Sequence, residues 1–552
     1  MTQDSKIDSA RPERTQFDRA GLDRTSSDRA PLALRRVAVV VAVVFATPVL
    51  YVLWRVITLD ADFGDTARES VGPLWRTIQM AVIVSLATGV LGTGLAWLLV
   101  RTDVPLVRVW RLLAPLPLVF PSFVGAAAFI AGFAPDGAIR TILNVVGYDA
   151  PRRFRGLGAS CLVLTAFTYP YVYLPVAARL AGLPPSIEES ARLLGDRPSR
   201  LFFRIVLPAI RSSVLGGMLI ALLYSLSEFG AVQLLGFDTL TRVVYATRLV
   251  DRARSFAAAT LLLILAVVAV TIERRLRGSL QHSPPTGSRR NAPIALGRWR
   301  IPALVSVVAV LLVSLVAPVM SLAQWAWRGI DQSGSPISEL GHDLAALRDP
   351  AWSTTWLGIA AATIAVVVVL PAALLTSRYR SRLGPAVTAA VLGGFAVPGL
   401  VIALSLAFWA LNVPYFDRLY QSAPLLISAY VVHFGAQAMR SAEVAVATVP
   451  RGVRESARLL GASPVRRALT VDLPLMRPGL LAGAGLVLLS TVKELPATLL
   501  LAPIGLETLA TRVWGAFEGG FLAEAGLASI VLVLASGTLT WLLVLRHSER
   551  LG

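Results

Sequence analysis

The sequence predicts an all-α polytopic membrane protein, with about twelve transmembrane helices in two parallel, tandem six-helix modules. Three observations predict it. Of 552 residues, 55% are hydrophobic and only 15% charged, and the mean hydropathy of +0.67 lies far outside the balance of soluble domains. The apolar residues gather into runs of the length that crosses a hydrocarbon layer, about 20 helical residues. Twelve such runs lie near 34–57, 75–100, 109–133, 157–181, 212–236, 255–273, 301–325, 352–376, 384–411, 423–447, 474–501 and 521–546. Finally, the heptapeptide ESARLLG stands twice, at Glu189–Gly195 and at Glu455–Gly461.

Residues 1–33 are polar, carry Asp-Arg pairs at 18–19, 23–24 and 28–29, and show neither the apolar core nor the small-residue cleavage site of a signal peptide. They read as a disordered cytoplasmic tail. The first apolar run follows Arg35 and Arg36, which places the N-terminus inside the cell by the positive-inside rule. Residues 34–273 form the first module and 301–552 the second. Between them, 274–300 is rich in Arg, Ser, Gly and Pro and reads as a cytoplasmic linker.

The repeat extends beyond seven residues. Trp75, Arg101 and Pro121 recur 277 positions later as Trp352, Arg378 and Pro398. Glu189, Gly195, Pro208 and Glu228 recur 266 positions later as Glu455, Gly461, Pro474 and Glu494. The two offsets differ by 11, so the second copy is shorter, and the loop at 134–156 is the expected place. DTLTRVVY at 238–245 parallels ETLATRVW at 507–514. Six spans per copy, an even number, give both copies the same polarity, a parallel repeat rather than an inverted one.

The formal net charge of +19 resides largely in loops and tails, where it orients the chain in a bilayer rather than binding nucleic acid. Arg378, Arg380 and Arg382 and both ESARLLG loops fall on the cytoplasmic side; Arg140, Arg152, Arg153, Arg155, Arg242, Arg248, Arg252 and Arg254 fall on the outer side and run against the rule. With Cys161 as the sole cysteine, an intramolecular disulfide and a thiolate metal site are both excluded.

The repeated loop has a local design. In the first copy Ser186 and Glu189 stand at capping-box spacing. Ile187, Ala191 and Leu194 then make one apolar face, and Gly195 supplies a left-handed stop. The second copy has Gly452 as a weaker cap, Val453, Ala457 and Leu460 as the face, and Gly461 as the stop. Pro198 and Pro464 each open a further short helix, Pro464 behind a capping Ser463. Helices of two turns are not stable alone, so each needs a surface to dock on, either its own module or another protein.

Other chemistry is sparse. A Walker A loop requires Gly-Lys-Ser/Thr, and the two lysines, Lys6 and Lys493, are followed by Ile7 and Glu494. No resident cofactor or metal is expected. His282, His342, His433 and His547 show no ligand spacing, and His433, inside an apolar run, reads most simply as a packed core residue. Glu228 and Glu494 occupy equivalent positions inside spans, with Lys493 beside the second. A charge there costs at least ~2.5 kcal/mol on insertion scales, so it faces a partner or a wet path. The three residues either hold the modules together or line a translocation path. Gly230 and Pro496 mark places where the backbone can break toward a cavity.

The paired ESARLLG…VLP and ESARLLG…DLP segments resemble the EAA loop of permease subunits in binding-protein-dependent ABC importers, and the tandem form resembles the fused permeases of the ferric-iron branch. The resemblance covers about residues 34–546 and implies the type I importer permease fold. It implies that Glu189, Ser190, Ala191 and Gly195, and Glu455, Ser456, Ala457 and Gly461, belong to coupling loops that contact an ATPase. Ser190 and Ser456 depart from the commoner Ala. It further implies two copies of that ATPase, which would bind the ATP, an extracytoplasmic substrate-binding protein, and a multi-pass place in the inner membrane. KELPATLLL, from Lys493, resembles iron permeases most distinctively, so iron(III) is the expected cargo. Thiamine, polyamine and inorganic-anion permeases share the loop and stay open, as does a gradient-driven secondary transporter with purely structural loops. A polytopic membrane enzyme finds no cluster of polar catalytic groups.

Overall fold

The computed structural model of the protein describes residues 30–58, 63–147, 149, 153–183, 200, 202–277, 293–332, 344–379 and 381–542. Among these every regular element is a helix, and the β geometry is one isolated bridge between Thr102 and Ile294. Nine of the described helices are long and apolar enough to cross a membrane, and two bent pairs raise the number to eleven. The helix Ala423–Ala447, 25 residues long, accounts for the remaining predicted run. Its polar stripe, from His433 through Gln437 to Arg440, sets it apart from the other spans.

Four predicted spans are not continuous. Val107–Val119 and Ser122–Phe133 meet at 100°, and Gly384–Ala396 and Gly399–Asn412 at 106°. The cause is local. Phe120 and Val397 each precede a proline and are extended, with ψ of 126° and 127°. The proline ring excludes the helical conformation from the residue before it. The run 212–236 breaks after Ser227 and resumes as Gly230–Leu234; the run 474–501 breaks after Val492 and resumes as Pro496–Leu501.

The halves share local bonds as well as sequence. The Leu240 amide donates to Thr77 Oγ1 at 2.9 Å, and the Leu509 amide donates to Thr354 Oγ1 at 2.8 Å. The shortening by 11 residues lies where expected: the first half carries an extra helix, Ala138–Val145, where the second has the turn Asp417–Leu419.

Each half lends its first span to the other. From Leu32–Thr58, the Phe45 ring lies against Gly435, where a β-carbon would approach it to 2.4 Å. Only glycine lets this helix seat so closely. In return Ala317–Gln332 packs on the first half. There Trp325 is buried among Ala127 and Ala131, and Gln324 accepts from the Ala138 amide and donates to the Asp136 carbonyl, both at 2.9 Å. The two bends and the two breaks converge on one cavity.

Candidate functional site

At the breaks, the backbone amides that begin each short half-helix need acceptors, because no preceding turn supplies carbonyls. The glutamates provide them. The Ala231 amide donates to Glu228 Oε1 at 2.8 Å, and the Ala497 amide to Glu494 Oε1 at 3.1 Å. The glutamate carbonyls are also held, by Thr241 Oγ1 at 2.6 Å and Thr498 Oγ1 at 2.9 Å. Carboxyl groups at these positions therefore shape the backbone in the middle of the bundle.

Both glutamates line one cavity of about 200 Å³ between the halves. The first half contributes Ser122, Tyr171, Tyr224 and Glu228; the second contributes Gly399, His433, Gln437, Ser490, Lys493 and Glu494. Tyr171 and Gln437, Tyr224 and Ser490, and Glu228 and Glu494 are repeat equivalents, so the cavity straddles the pseudo-two-fold axis. Its walls nonetheless differ. Tyr171 and Tyr224 face each other with ring centroids 6.0 Å apart, whereas Gln437 and Ser490 are joined by a hydrogen bond of 3.0 Å.

The glutamates differ too. Glu228 is 6% exposed, and besides the Ala231 amide it accepts from Ser122 Oγ at 2.7 Å on Oε2. Hydrogen bonds to charged groups contribute about 1.5–3 kcal/mol each, enough for two of them to offset an insertion cost of about 2.5–3.5 kcal/mol. Glu494 has one such bond and is partly exposed to the cavity. Lys493 does not pair with it: its Nζ donates to the carbonyl of Leu118 in the first half at 2.9 Å. Both residues lie in the break between Val492 and Pro496, where the chain leaves the helix and the two side chains turn to different partners.

The first copy of the repeated loop, with Glu189, Ser190, Ala191 and Gly195, lies outside the described residues. The second is a helix over Arg451–Leu459. It starts two residues earlier than Gly452 as a cap would allow, because Pro450 is extended and stands at the N-cap. Gly461 has φ of +76°. Its amide bonds to Arg458 O at 3.0 Å and the Ala462 amide to Ala457 O at 3.1 Å, the paired bonds of a Schellman stop. Ser463 Oγ caps the next turn through the Arg466 amide at 3.3 Å. Val453, Leu459 and Leu460 are exposed, the last two by 88% and 87%, and so are Glu455 and Ser456. The helix thus presents apolar surface that the described residues do not cover.

The sequence matches the family described as "Binding-protein-dependent transport system inner membrane component" twice, over residues 88–277 and 369–551. The chain belongs to that family. It is accordingly a multi-pass inner-membrane permease, a transport component rather than a catalytic subunit, working with an ATPase and a substrate-binding protein. Among curated relatives, this permease is 28% identical over 531 residues to the Fe(3+)-transport system permease protein FbpB 2 of Haemophilus influenzae, covering 93% of this chain and 98% of that one. It is 25% identical to the probable ABC transporter permease y4fN of Sinorhizobium fredii, over 87% of each chain. It is 30% identical over 213 residues to the molybdenum transport system permease protein ModB of Mycobacterium tuberculosis, covering 37% of this chain and 79% of that one.

Of the residues singled out in the permease sequence, Glu228, Lys493 and Glu494 meet in the cavity, while Glu455, Ser456, Ala457 and Gly461 lie on or beside the exposed loop helix. Sequence reasoning missed Ser122, Gly399 and the cavity-facing His433. The signal available was the difference between repeat copies: Ser122 corresponds to Gly399, and Phe167 to His433.

Proposed function

We propose that this permease imports iron(III), handed over outside the cell by a binding protein, through the cavity between its halves. The observation that carries this reading is the end-to-end similarity to a relative named for Fe(3+) transport, which includes both halves in tandem. A second reading, an oxyanion such as molybdate, is favoured by the relative named for molybdenum transport, which aligns with 213 residues of this chain. Two carboxyl groups and an imidazole on the cavity wall, against the one ammonium of Lys493, suit a cation better than an anion. Thiamine and polyamines remain further candidates within the same importer class.

In this reading the modules are 34–273 and 301–552, joined by a cytoplasmic 274–300, with both termini inside. Two ATPase subunits dock on the two loops, one at Glu189, Ser190, Ala191 and Gly195, the other at Glu455, Ser456, Ala457 and Gly461. They bind and hydrolyse the ATP. Their closure moves both loop helices together, and rigid-body motion of the halves switches access to Glu228, Lys493 and Glu494. The test is transport in proteoliposomes containing this chain and its ATPase, supplied with binding protein loaded with iron(III) or with molybdate. ATP-dependent accumulation of iron is the expected result; accumulation of molybdate without iron rejects it.

A further inference from the structure

Ser122 and Gly399 hold the same place in the two halves, each directly after the proline at a bend, and the cavity's asymmetry turns on this pair. In the first half Ser122 Oγ donates to Glu228 Oε2 at 2.7 Å while the Ala231 amide holds Oε1. Both oxygens are engaged. In the second half Gly399 brings no hydroxyl. A β-carbon there would lie 3.0 Å from Glu494 Oε1 and 3.2 Å from His433 Nε2, which puts those two atoms within about 6 Å of each other. Glu494 accepts only from the Ala497 amide, and no cationic side chain pairs with it among the described residues. Lys493, on the same wall, spends its ammonium on the Leu118 carbonyl. His433 also lines the cavity, and with its Nδ1 buried the ring offers Nε2.

We propose that Glu494 and His433 form the contact point at which the cavity meets a passing metal cation, that Ser122 holds Glu228 out of that role, and that Gly399 is the specificity-determining residue that keeps the contact open. The inference rests on the iron reading of function. Two donors do not make a cage: among the described residues no three His, Cys, Asp or Glu side chains converge to hold a metal. That suits a path, where binding must admit a solute and still let it leave. Gly399→Ser installs the hydroxyl that the first half carries. Its β-carbon meets the movable ends of two side chains rather than backbone, so the fold accommodates it while the hydroxyl occupies Glu494.

The experiment uses the chain with its ATPase in proteoliposomes, driven by iron-loaded binding protein, and reads iron moved per ATP hydrolysed. A merely structural residue lowers transport and stimulated hydrolysis together and leaves this ratio alone. Glu494→Gln and Gly399→Ser are expected to lower the ratio about tenfold and at least threefold, respectively. Glu228→Gln, which keeps the Ala231 bond, should lower it less than Glu494→Gln does. Gly399→Ser placed on Glu494→Gln should add nothing, because the two act through one contact. An unchanged ratio in Gly399→Ser, or an equal fall in Glu228→Gln and Glu494→Gln while the wild type moves iron, overturns the inference and leaves the iron reading intact. A wild type that moves molybdate and not iron overturns the iron reading, and the cation contact with it.

Discussion

Arg378 and Asp472 form a buried ion pair, Nη1 to Oδ2 at 3.0 Å, with side chains 11% and 5% exposed. Arg378 ends the long span Arg348–Arg378, and Asp472 lies at the head of the helix that leads to Lys493 and Glu494. Arg454, from the exposed loop helix, approaches the other oxygen of Asp472 at 3.4 Å. One carboxylate therefore ties the loop helix to two membrane helices. Burial, reinforced by the like charge of Arg378, pulls the Arg454 guanidinium below its ordinary range, and Asp472 opposes that shift.

Asp472→Asn leaves two guanidinium groups close together without their counter-ion. Breaking a buried pair from one side costs about 3–5 kcal/mol. The expected outcome is a lower thermal midpoint of the full chain in detergent, together with weaker ATPase stimulation by loaded binding protein. Asp472→Glu should restore part of both. A midpoint unchanged in Asp472→Asn would show that the pair does not secure the loop.

The twin bonds of Thr77 and Thr354 give a test of the repeat. Each hydroxyl accepts from the amide of a buried leucine, Leu240 or Leu509. Thr→Val at either position keeps the shape and orphans the amide, at about 1–3 kcal/mol. The two substitutions should lower the thermal midpoint by similar amounts and add when combined, since separate sites without shared partners are additive. A cost at one position only would mean that the halves have diverged in packing.

The order of the spans was legible because hydropathy acts on whole runs, and the repeat because identical charged residues stand out against apolar sequence. Gly230 and Pro496 marked the breaks, yet the bends at Phe120-Pro121 and Val397-Pro398 were bridged by continuous apolar runs. A hydropathy window weighs side chains, whereas these bends come from backbone sterics. Glu228 and Glu494 were legible as equivalents but not as unequals. Their difference depends on Ser122 and Gly399, about a hundred residues away in sequence, and only tertiary packing brings them together. His433 was legible as a residue inside a span but not as one beside the cavity, for the same reason: an apolar run does not say which of its faces borders a cavity.

Stoichiometry follows from the tandem design. If each loop receives one ATPase, one chain supplies a complete pair of docking helices and needs no second copy of itself. Native mass measurement of the purified complex should give one permease chain and two ATPase subunits. A mass with one ATPase, or with two permease chains, contradicts the arrangement.

Gly461 offers the sharpest separation of folding from coupling. Its φ of +76° lies in the left-handed region, where a side chain costs roughly 1–2 kcal/mol and a β-branched one more. Nothing lies within 4 Å of its missing β-carbon, so the cost of Gly461→Val is purely conformational and falls on the stop that ends Arg451–Leu459. The spans do not depend on that stop, so membrane insertion and the amount of purified chain should match wild type. With the stop lost, Leu459 and Leu460 no longer project from a fixed helix end. ATPase association, measured by pull-down from detergent, should fall several-fold, and iron accumulation with it. Gly461→Asn, which tolerates the left-handed conformation better, should retain more of both. Wild-type association and transport in Gly461→Val would mean that this helix is not where the ATPase is engaged.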